Sequence, residues 1–327
     1  MSSSSSAAIS LDSQQVQEQS ADLTILGAGA WGSALASLVT KNAHTACLWS
    51  RRSGLSLGAA VKDAHVILSA ISMKGVAGVV QQLQALNIPP HTILVTATKG
   101  LDPQTTRTPS QIIQAAFPDN PVVVLSGPNL SKEIEQGLPA ATVAASDRPK
   151  AAEVVQYLFS SDTFRVYSSP DPLGAELGGT LKNVIAIAVG VCDGLQLGSN
   201  ARSALITRAL PEMIRIGTHL GGQAETFLGL SGLGDMLATC TSPLSRNYRV
   251  GYGLSQGQSL DQILIDLGST AEGVNTTEVL VTIAKREKIP VPIARQVHRL
   301  LKGEITPQAA VEALMERELK PESCDLL

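Results

Sequence analysis

Aromatic residues are scarce in this chain, at 3% of 327 positions. That leaves little material for a base-stacking platform. There is no basic excess either: 25 Lys and Arg stand against 28 Asp and Glu, a formal net charge of −3. A global electrostatic footprint for nucleic acid is therefore missing. Cysteines number four, Cys47, Cys192, Cys240 and Cys324, too far apart for a CxxC pair. Neither a zinc motif nor a disulfide framework is signalled, and a reducing compartment fits. The longest strongly apolar run, Val184–Cys192, falls well short of the roughly 20 residues a membrane span takes. No Lys or Arg precedes Lys41, and no apolar h-region opens the chain. A transit peptide and a secretory signal are both unsupported, so the expected location is cytoplasmic.

What is present is a large apolar fraction, 44%, with 28 glycines. This excludes wholesale disorder and suits two domains. Residues 1–21, rich in Ser and Gln, read as a disordered tail. From Leu23 short apolar strands alternate with helical patterns. Strands are expected at Leu23–Leu26, Ala46–Trp49, Val66–Ile71, Thr92–Thr96, Val122–Leu125, Ala140–Ala145 and Phe164–Tyr167. Helices are expected at Ala30–Lys41, Val76–Leu86 and Pro149–Phe159. The alternation predicts an α/β, Rossmann-type doubly wound sheet over residues 22–169. Beyond Ser168-Ser169-Pro170-Asp171-Pro172 the strand pattern stops. Helical periodicity follows at Leu181–Leu195, Ser203–Leu220, Thr276–Lys285 and Pro307–Arg317. Residues 170–320 are thus expected to form an all-α domain that carries the substrate chemistry, with 321–327 a flexible end.

Gly27-Ala28-Gly29-Ala30-Trp31-Gly32 is a GxGxxG pattern between a strand and a helix. The first glycine suits a tight turn, the second a close approach of backbone to a pyrophosphate, the third close helix–strand packing. An incidental glycine turn is the competing reading. The second strand ends in Ser50-Arg51-Arg52, where an NAD-specific site carries an acid for the ribose hydroxyl. Guanidinium groups suit a 2′-phosphate; two solvated surface arginines are the alternative.

Leu181, Val184, Ile185, Ala188, Val189 and Cys192 recur at helical spacing, and the other faces are also apolar. Such a helix is buried. Lys182 is expected in its first turn, either as a desolvated general acid/base or as a lysine snorkelling out of the helix end. A second group is Gly232-Leu233-Gly234-Asp235 with Thr239 one turn on. Asp235 reads as a site carboxylate or as a helix cap. Ser245-Arg246-Asn247 reads as an anion clamp or as a surface salt bridge.

These blocks resemble the NAD(P)-dependent glycerol-3-phosphate dehydrogenase family. The resemblance is carried by Gly27–Ala36, Thr98-Lys99-Gly100, Ser126-Gly127-Pro128, Glu176–Val184, Gly232–Asp235, Ser245-Arg246-Asn247 and Ala271-Glu272-Gly273, and covers about residues 22–318. It implies an oxidoreductase that interconverts sn-glycerol 3-phosphate and dihydroxyacetone phosphate and supplies glycerophospholipid synthesis. It further implies Lys182 as proton donor/acceptor, with Lys99 and Asp235 beside it. Gly127, Asn129, Asn183, Thr239, Ser245, Arg246 and Asn247 would contact substrate, with Arg246 on the phosphate. Gly27, Gly29, Ala30, Trp31, Gly32, Arg51, Arg52, Lys99, Ser131, Arg246, Thr270 and Glu272 would line the cofactor. NADP(H) is the expected cofactor and NAD(H) the alternative. No metal, nucleic acid or membrane span is expected, and a homodimer is left open. Another hydride-transfer enzyme, such as a 3-hydroxyacid or 6-phosphogluconate dehydrogenase, is disfavoured by the Ser-Arg-Asn block. A non-catalytic dinucleotide sensor is disfavoured by Lys182, Asp235 and Arg246 together. Three departures from the family stand out: a short segment between Ser50 and Ala64, Asn129 where Ser or Thr is common, and Pro211, which predicts a kink.

Overall fold

The computed structural model describes residues 22–268, 270–319 and 321–322. The expectations for residues 1–21 and 323–327 lie outside the described residues. The first part of the chain alternates β1 (Leu23–Leu26), α1 (Ala30–Lys41), β2 (Ala46–Trp49), α2 (Leu57–Val61), β3 (Val66–Ser69), α3 (Met73–Gln84), β4 (Ile93–Thr96), α4 (Pro109–Ala116), β5 (Val122–Ser126), α5 (Ser131–Glu135), β6 (Ala140–Ala145), α6 (Pro149–Phe159) and β7 (Phe164–Ser169). The strands form one sheet in the order β2-β1-β3-β4-β5-β6-β7. All neighbours pair in parallel except β5 and β6, whose pairing is antiparallel.

Alternate side chains along the first strands feed two apolar cores. Leu23 and Ile25 of β1 pack on one face with Leu35, Val66, Leu68 and Val95. Leu26 faces the other way, with Trp49, Ile67, Val76 and Leu94. Burial on both faces explains why these strands read as continuous apolar runs rather than as alternating ones.

The chain leaves β1 toward β2 on one side and returns to β3 on the other, so the glycine turn lies at a reversal of strand order. Gly27 takes φ +121°, and a β-carbon built there would lie 2.7 Å from the Ala70 carbonyl oxygen, just past β3. A β-carbon on Gly32 would lie 1.8 Å from the Gly27 carbonyl oxygen. Gly29 is different: nothing lies within 4 Å of its built β-carbon. The first and third glycines are required by protein packing, and the second opens onto space at the start of α1.

The remainder is helical: α7 (Pro172–Gly194), α8 (Gly198–His219), α9 (Ala224–Leu228), a π-helical turn (Leu230–Gly234), α10 (Asp235–Cys240), α11 (Arg246–Ser255), α12 (Leu260–Leu267), α13 (Glu272–Arg286), α14 (Pro292–Leu301) and α15 (Pro307–Met315). One expectation changes here. The helix expected at Leu181 begins at Pro172, where Asp171 caps it by accepting from the Gly174 amide at 2.8 Å. Lys182 therefore sits in mid-helix, not in a first turn. Pro172, where the strand pattern stops, is the first residue of that helix, because proline is tolerated at the first helical position. Helix α8 runs through Pro211, the residue at which a kink is expected.

Helix α7 is the centre of the helical part. Its 23 residues are long and apolar enough to cross a membrane, but 94% of its most apolar window is buried inside the protein. It packs in the same core as Met213, Phe227, Met236, Val250, Leu280 and Val297 from the helices around it.

Candidate active site

Four polar side chains interrupt the apolar surface of α7: Glu176, Thr180, Lys182 and Asn183, all buried. A buried polar group needs a partner, and here the partners come from elsewhere in the chain. Glu176 accepts from the Ser110 amide at 2.9 Å and from its hydroxyl, at the start of α4. Burial pushes its carboxyl up to about 7, against the pull of those bonds. Thr180 accepts from the Gly100 amide at 3.0 Å. Asn183 accepts from Asn247 Nδ2 at 2.8 Å, and Asn247 Oδ1 accepts from the Gly273 amide at 2.9 Å. One helix face thus joins the end of β4, the start of α4 and the starts of α11 and α13.

Lys182 donates to Asp235 Oδ1 at 2.6 Å and to Thr239 Oγ1 at 2.5 Å. Lys99, from the loop after β4, donates to Asp235 Oδ2 at 2.5 Å and to the Gly127 carbonyl at 3.3 Å. Asp235 thus holds one ammonium on each oxygen while being 2% exposed. It does not cap α10; Gly234 occupies that position. Nor does Lys182 snorkel, being 6% exposed. Burial brings its pKa down from 10.5 to about 8, opposed by the Asp235 charge and reinforced by Lys99. Desolvation and a like charge both disfavour the ammonium, and the carboxylate restores part of that loss.

The glycines of α7 make this approach possible. A β-carbon on Gly178 would lie 2.7 Å from the Ser231 carbonyl oxygen, and one on Gly179 would lie 2.5 Å from Ser126 Oγ and 3.3 Å from Lys99 Cε. Helix α7 can therefore lie directly against the end of β5 and the π-helical turn.

The other expected site residues fall into two sets. Asn129 donates to Thr142 Oγ1 at 2.9 Å, beside Gly127. Ser245 is buried and caps α11 by accepting from the Tyr248 amide at 3.2 Å, so its hydroxyl already serves the helix. Glu272 opens α13. Burial raises its carboxyl, while the Met73 amide, the nearby Arg246 charge and the Thr270 hydroxyl pull it down. The Met73 bond carries Glu272 from the helical part to the first residue of α3. Ser131 is the first residue of α5. Arg51, Arg52, Arg246 and Thr270 are exposed. In the segment after β2, Trp49 Nε1 donates to the Leu55 carbonyl at 2.9 Å. Sequence reasoning gave no role to Thr180, Glu176 or Ser126; only their place within the quoted blocks marked them.

A dinucleotide fits the start of α1. Its N-cap, Gly29, offers open space, no side chain caps the helix, and no acid lies in its first turn. The free amides and the positive end of the helix are therefore available to an anion. Among the described residues no cluster of three metal-ligating side chains occurs.

Comparison with known proteins decides the family. The model described as NAD-dependent glycerol-3-phosphate dehydrogenase N-terminus matches residues 22–57 and 53–152, and its C-terminus counterpart matches residues 171–312. The chain belongs to the glycerol-3-phosphate dehydrogenase family. A "Glycerol-3-phosphate dehydrogenase [NAD(P)+]" of Acaryochloris marina is 71% identical over 305 residues, covering 93% of this chain and 98% of that one. The Synechocystis counterpart is 67% identical over 300 residues, covering 92% and 95%. A solved glycerol-3-phosphate dehydrogenase from Coxiella burnetii superposes with a TM-score of 0.87 at 34% identity, covering 91% of this chain and 99% of that one. This glycerol-3-phosphate dehydrogenase is accordingly an NAD(P)-dependent oxidoreductase with a Rossmann-type sheet followed by a helical region.

Proposed function

We propose that Lys182 is the proton donor and acceptor as this dehydrogenase interconverts sn-glycerol 3-phosphate and dihydroxyacetone phosphate in the cytoplasm, feeding glycerophospholipid synthesis. The observation that carries this reading is the placement of Asp235 between two lysines, one of them buried. A nicotinamide dinucleotide held at the glycine turn would supply the hydride chemistry at the carbinol carbon. Lys182, as ammonium, stabilises the negative charge that grows on the ketone oxygen and gives up a proton to it. Asp235 fixes the direction of both ammonium groups, and Thr239 fixes a second N–H of Lys182. Lys99, Asn183, Arg246, Asn247, Gly127 and Asn129 are assigned to the substrate. Binding energy from the phosphate, remote from the reacting carbon, orients the carbonyl. Gly27, Gly29, Ala30, Trp31 and Gly32 would hold the pyrophosphate, and Ser131, Thr270 and Glu272 are assigned to the same cofactor.

The two directions should respond oppositely to pH. Ketone reduction uses the ammonium, present below a pKa of about 8, so its kcat/KM should fall as pH rises through that value. Alcohol oxidation uses the free amine, so its kcat/KM should rise over the same interval. Profiles of both directions check this; two profiles that bend the same way near pH 8 would remove Lys182 from the proton transfer.

Cofactor choice follows from the end of β2. Arg51 and Arg52 are exposed, and no acid stands there to repel a 2′-phosphate. A charge-assisted contact contributes about 1.5–3 kcal/mol, or roughly ten- to hundred-fold in kcat/KM for NADPH over NADH. Arg51→Ala and Arg52→Ala should each be compared with the wild type using both cofactors. A wild-type preference for NADH, or an NADPH preference that both variants retain, defeats the arginine argument.

A further inference from the structure

Lys99 belongs to the sheet part of the chain, yet its carboxylate partner, Asp235, lies in the helical part. Its backbone stands between two anchors of different origin. On one side the buried Thr98 hydroxyl donates to the Ile71 carbonyl at 3.0 Å, just past β3. On the other side the Gly100 amide donates to Thr180 Oγ1 at 3.0 Å, on α7. Thr180 is 0% exposed. Gly100 is buried and takes φ +145°, and a β-carbon built there would lie 2.9 Å from Met73 Cβ, so α3 closes the space on its other flank. The docking continues along the loop. The Leu101 carbonyl accepts from Asn275 Nδ2 at 2.9 Å, and its side chain enters the apolar core around α7. Ser110 is bound by Glu176, one turn before Thr180 on the same helix.

Helix α7 therefore fixes both cations of the site. It carries Lys182 itself. Gly179 admits Lys99 Cε to within 3.3 Å of its built β-carbon, and Thr180 holds the residue next to Lys99. We infer that Thr180 is a positioning residue that holds Lys99 against Asp235, so that the carboxylate is shared between two ammonium groups rather than left to Lys182 alone. This rests on the proton-transfer role proposed for Lys182 and deepens it. The consequence is electrostatic. The groups that bear on Lys182 are Asp235 and Cys240 of α10 and Lys99. From α13, Glu272 lies beside the loop, its Oε2 3.4 Å from the β-carbon built on Gly100, with Arg246 of α11 near it. Asp235 favours the ammonium of Lys182 and Lys99 disfavours it. Burial pushes the Cys240 thiol up to about 12, so it stays neutral. When Lys99 moves away, a repelling charge weakens and Asp235 turns to Lys182 alone. Both changes raise the pKa of Lys182.

The test is the pH profile of kcat/KM for dihydroxyacetone phosphate reduction at saturating NADPH. Thr180→Val keeps the branched shape but accepts no hydrogen bond, and Thr180→Ser keeps the hydroxyl. Thr180→Val should lower kcat/KM about tenfold below the break, the effect of one hydrogen bond. It should also move the fall of the profile up from about 8 toward the ordinary lysine value of 10.5. Thr180→Ser should stay within about two-fold of the wild type with the break in place. A packing defect alone lowers the melting temperature or the activity without moving the break. Thr180→Ala, which also lacks the hydroxyl, carries the same expectation should the valine variant fail to fold. A break that stays in place in the variants without the hydroxyl, or one that moves as far in Thr180→Ser, would overturn the inference. A wild-type profile with no break near 8 would instead overturn the Lys182 assignment, and the inference with it.

Discussion

Lys182→Met should reduce turnover at least about 100-fold, the lower end for loss of a positioned acid/base group, while NADPH binding stays largely intact. The reason lies in how the site shares its charge. Asp235 loses the ammonium on Oδ1 but keeps Lys99 on Oδ2, so no unpaired carboxylate is left in the interior. Methionine has a length close to that of the lysine stem and occupies the same apolar helix without a desolvated charge. The fold should therefore hold, which a melting curve checks, and the cofactor turn at Gly27–Gly32 belongs to another part of the chain. Single-turnover reduction and NADPH titration together decide the matter. Turnover within a few-fold of the wild type would sink the assignment. A parallel loss of NADPH affinity would mean that the substitution disturbs the site as a whole.

The second large effect is expected at Arg246. Arg246→Ala should cost roughly ten- to hundred-fold in kcat/KM with dihydroxyacetone phosphate, because a guanidinium on a phosphate makes a charge-assisted contact of about 1.5–3 kcal/mol. With unphosphorylated dihydroxyacetone the change should stay within a few-fold, since there is no dianion to bind. Arg246 is the first residue of α11, whose cap is the buried Ser245 hydroxyl. Its charge also lies near Glu272, itself assigned to the cofactor. The comparison is therefore made at saturating NADPH, where a weakened cofactor contact does not register. Equal losses with the two substrates would take Arg246 off the phosphate.

Much of the α/β part is legible in the sequence because its signals are local. The strands from Leu23 to Ser169 are short apolar runs bounded by turn residues, and the limits expected for β1, β2, β6, α1 and α6 match those observed. The antiparallel β5–β6 pairing left no mark on the sequence, because strand direction depends on where the chain returns and not on which residues pair. Short elements such as α2, α5 and α9 span too few residues to show a period.

The sequence by itself determined the glycine turn, the apolar face of α7 and the residue types the chemistry needs, Lys182, Asp235 and Arg246. Each follows from a pattern within a few positions: a spacing of glycines, a helical repeat, a polar residue where apolar ones are expected. Only the tertiary structure decided what those residues do to one another. Gly178 and Gly179, which weaken a helix taken alone, lie inside α7 because Ser231 and Ser126 press against them. Lys182 is neither at a helix end nor free; it is desolvated and tied to a carboxylate 53 positions away. The physical reason is that burial and Coulomb attraction act through space. A pKa near 8 for Lys182 comes from the packing of β5, α7 and α10 around one carboxylate, and no run of neighbouring residues encodes that distance.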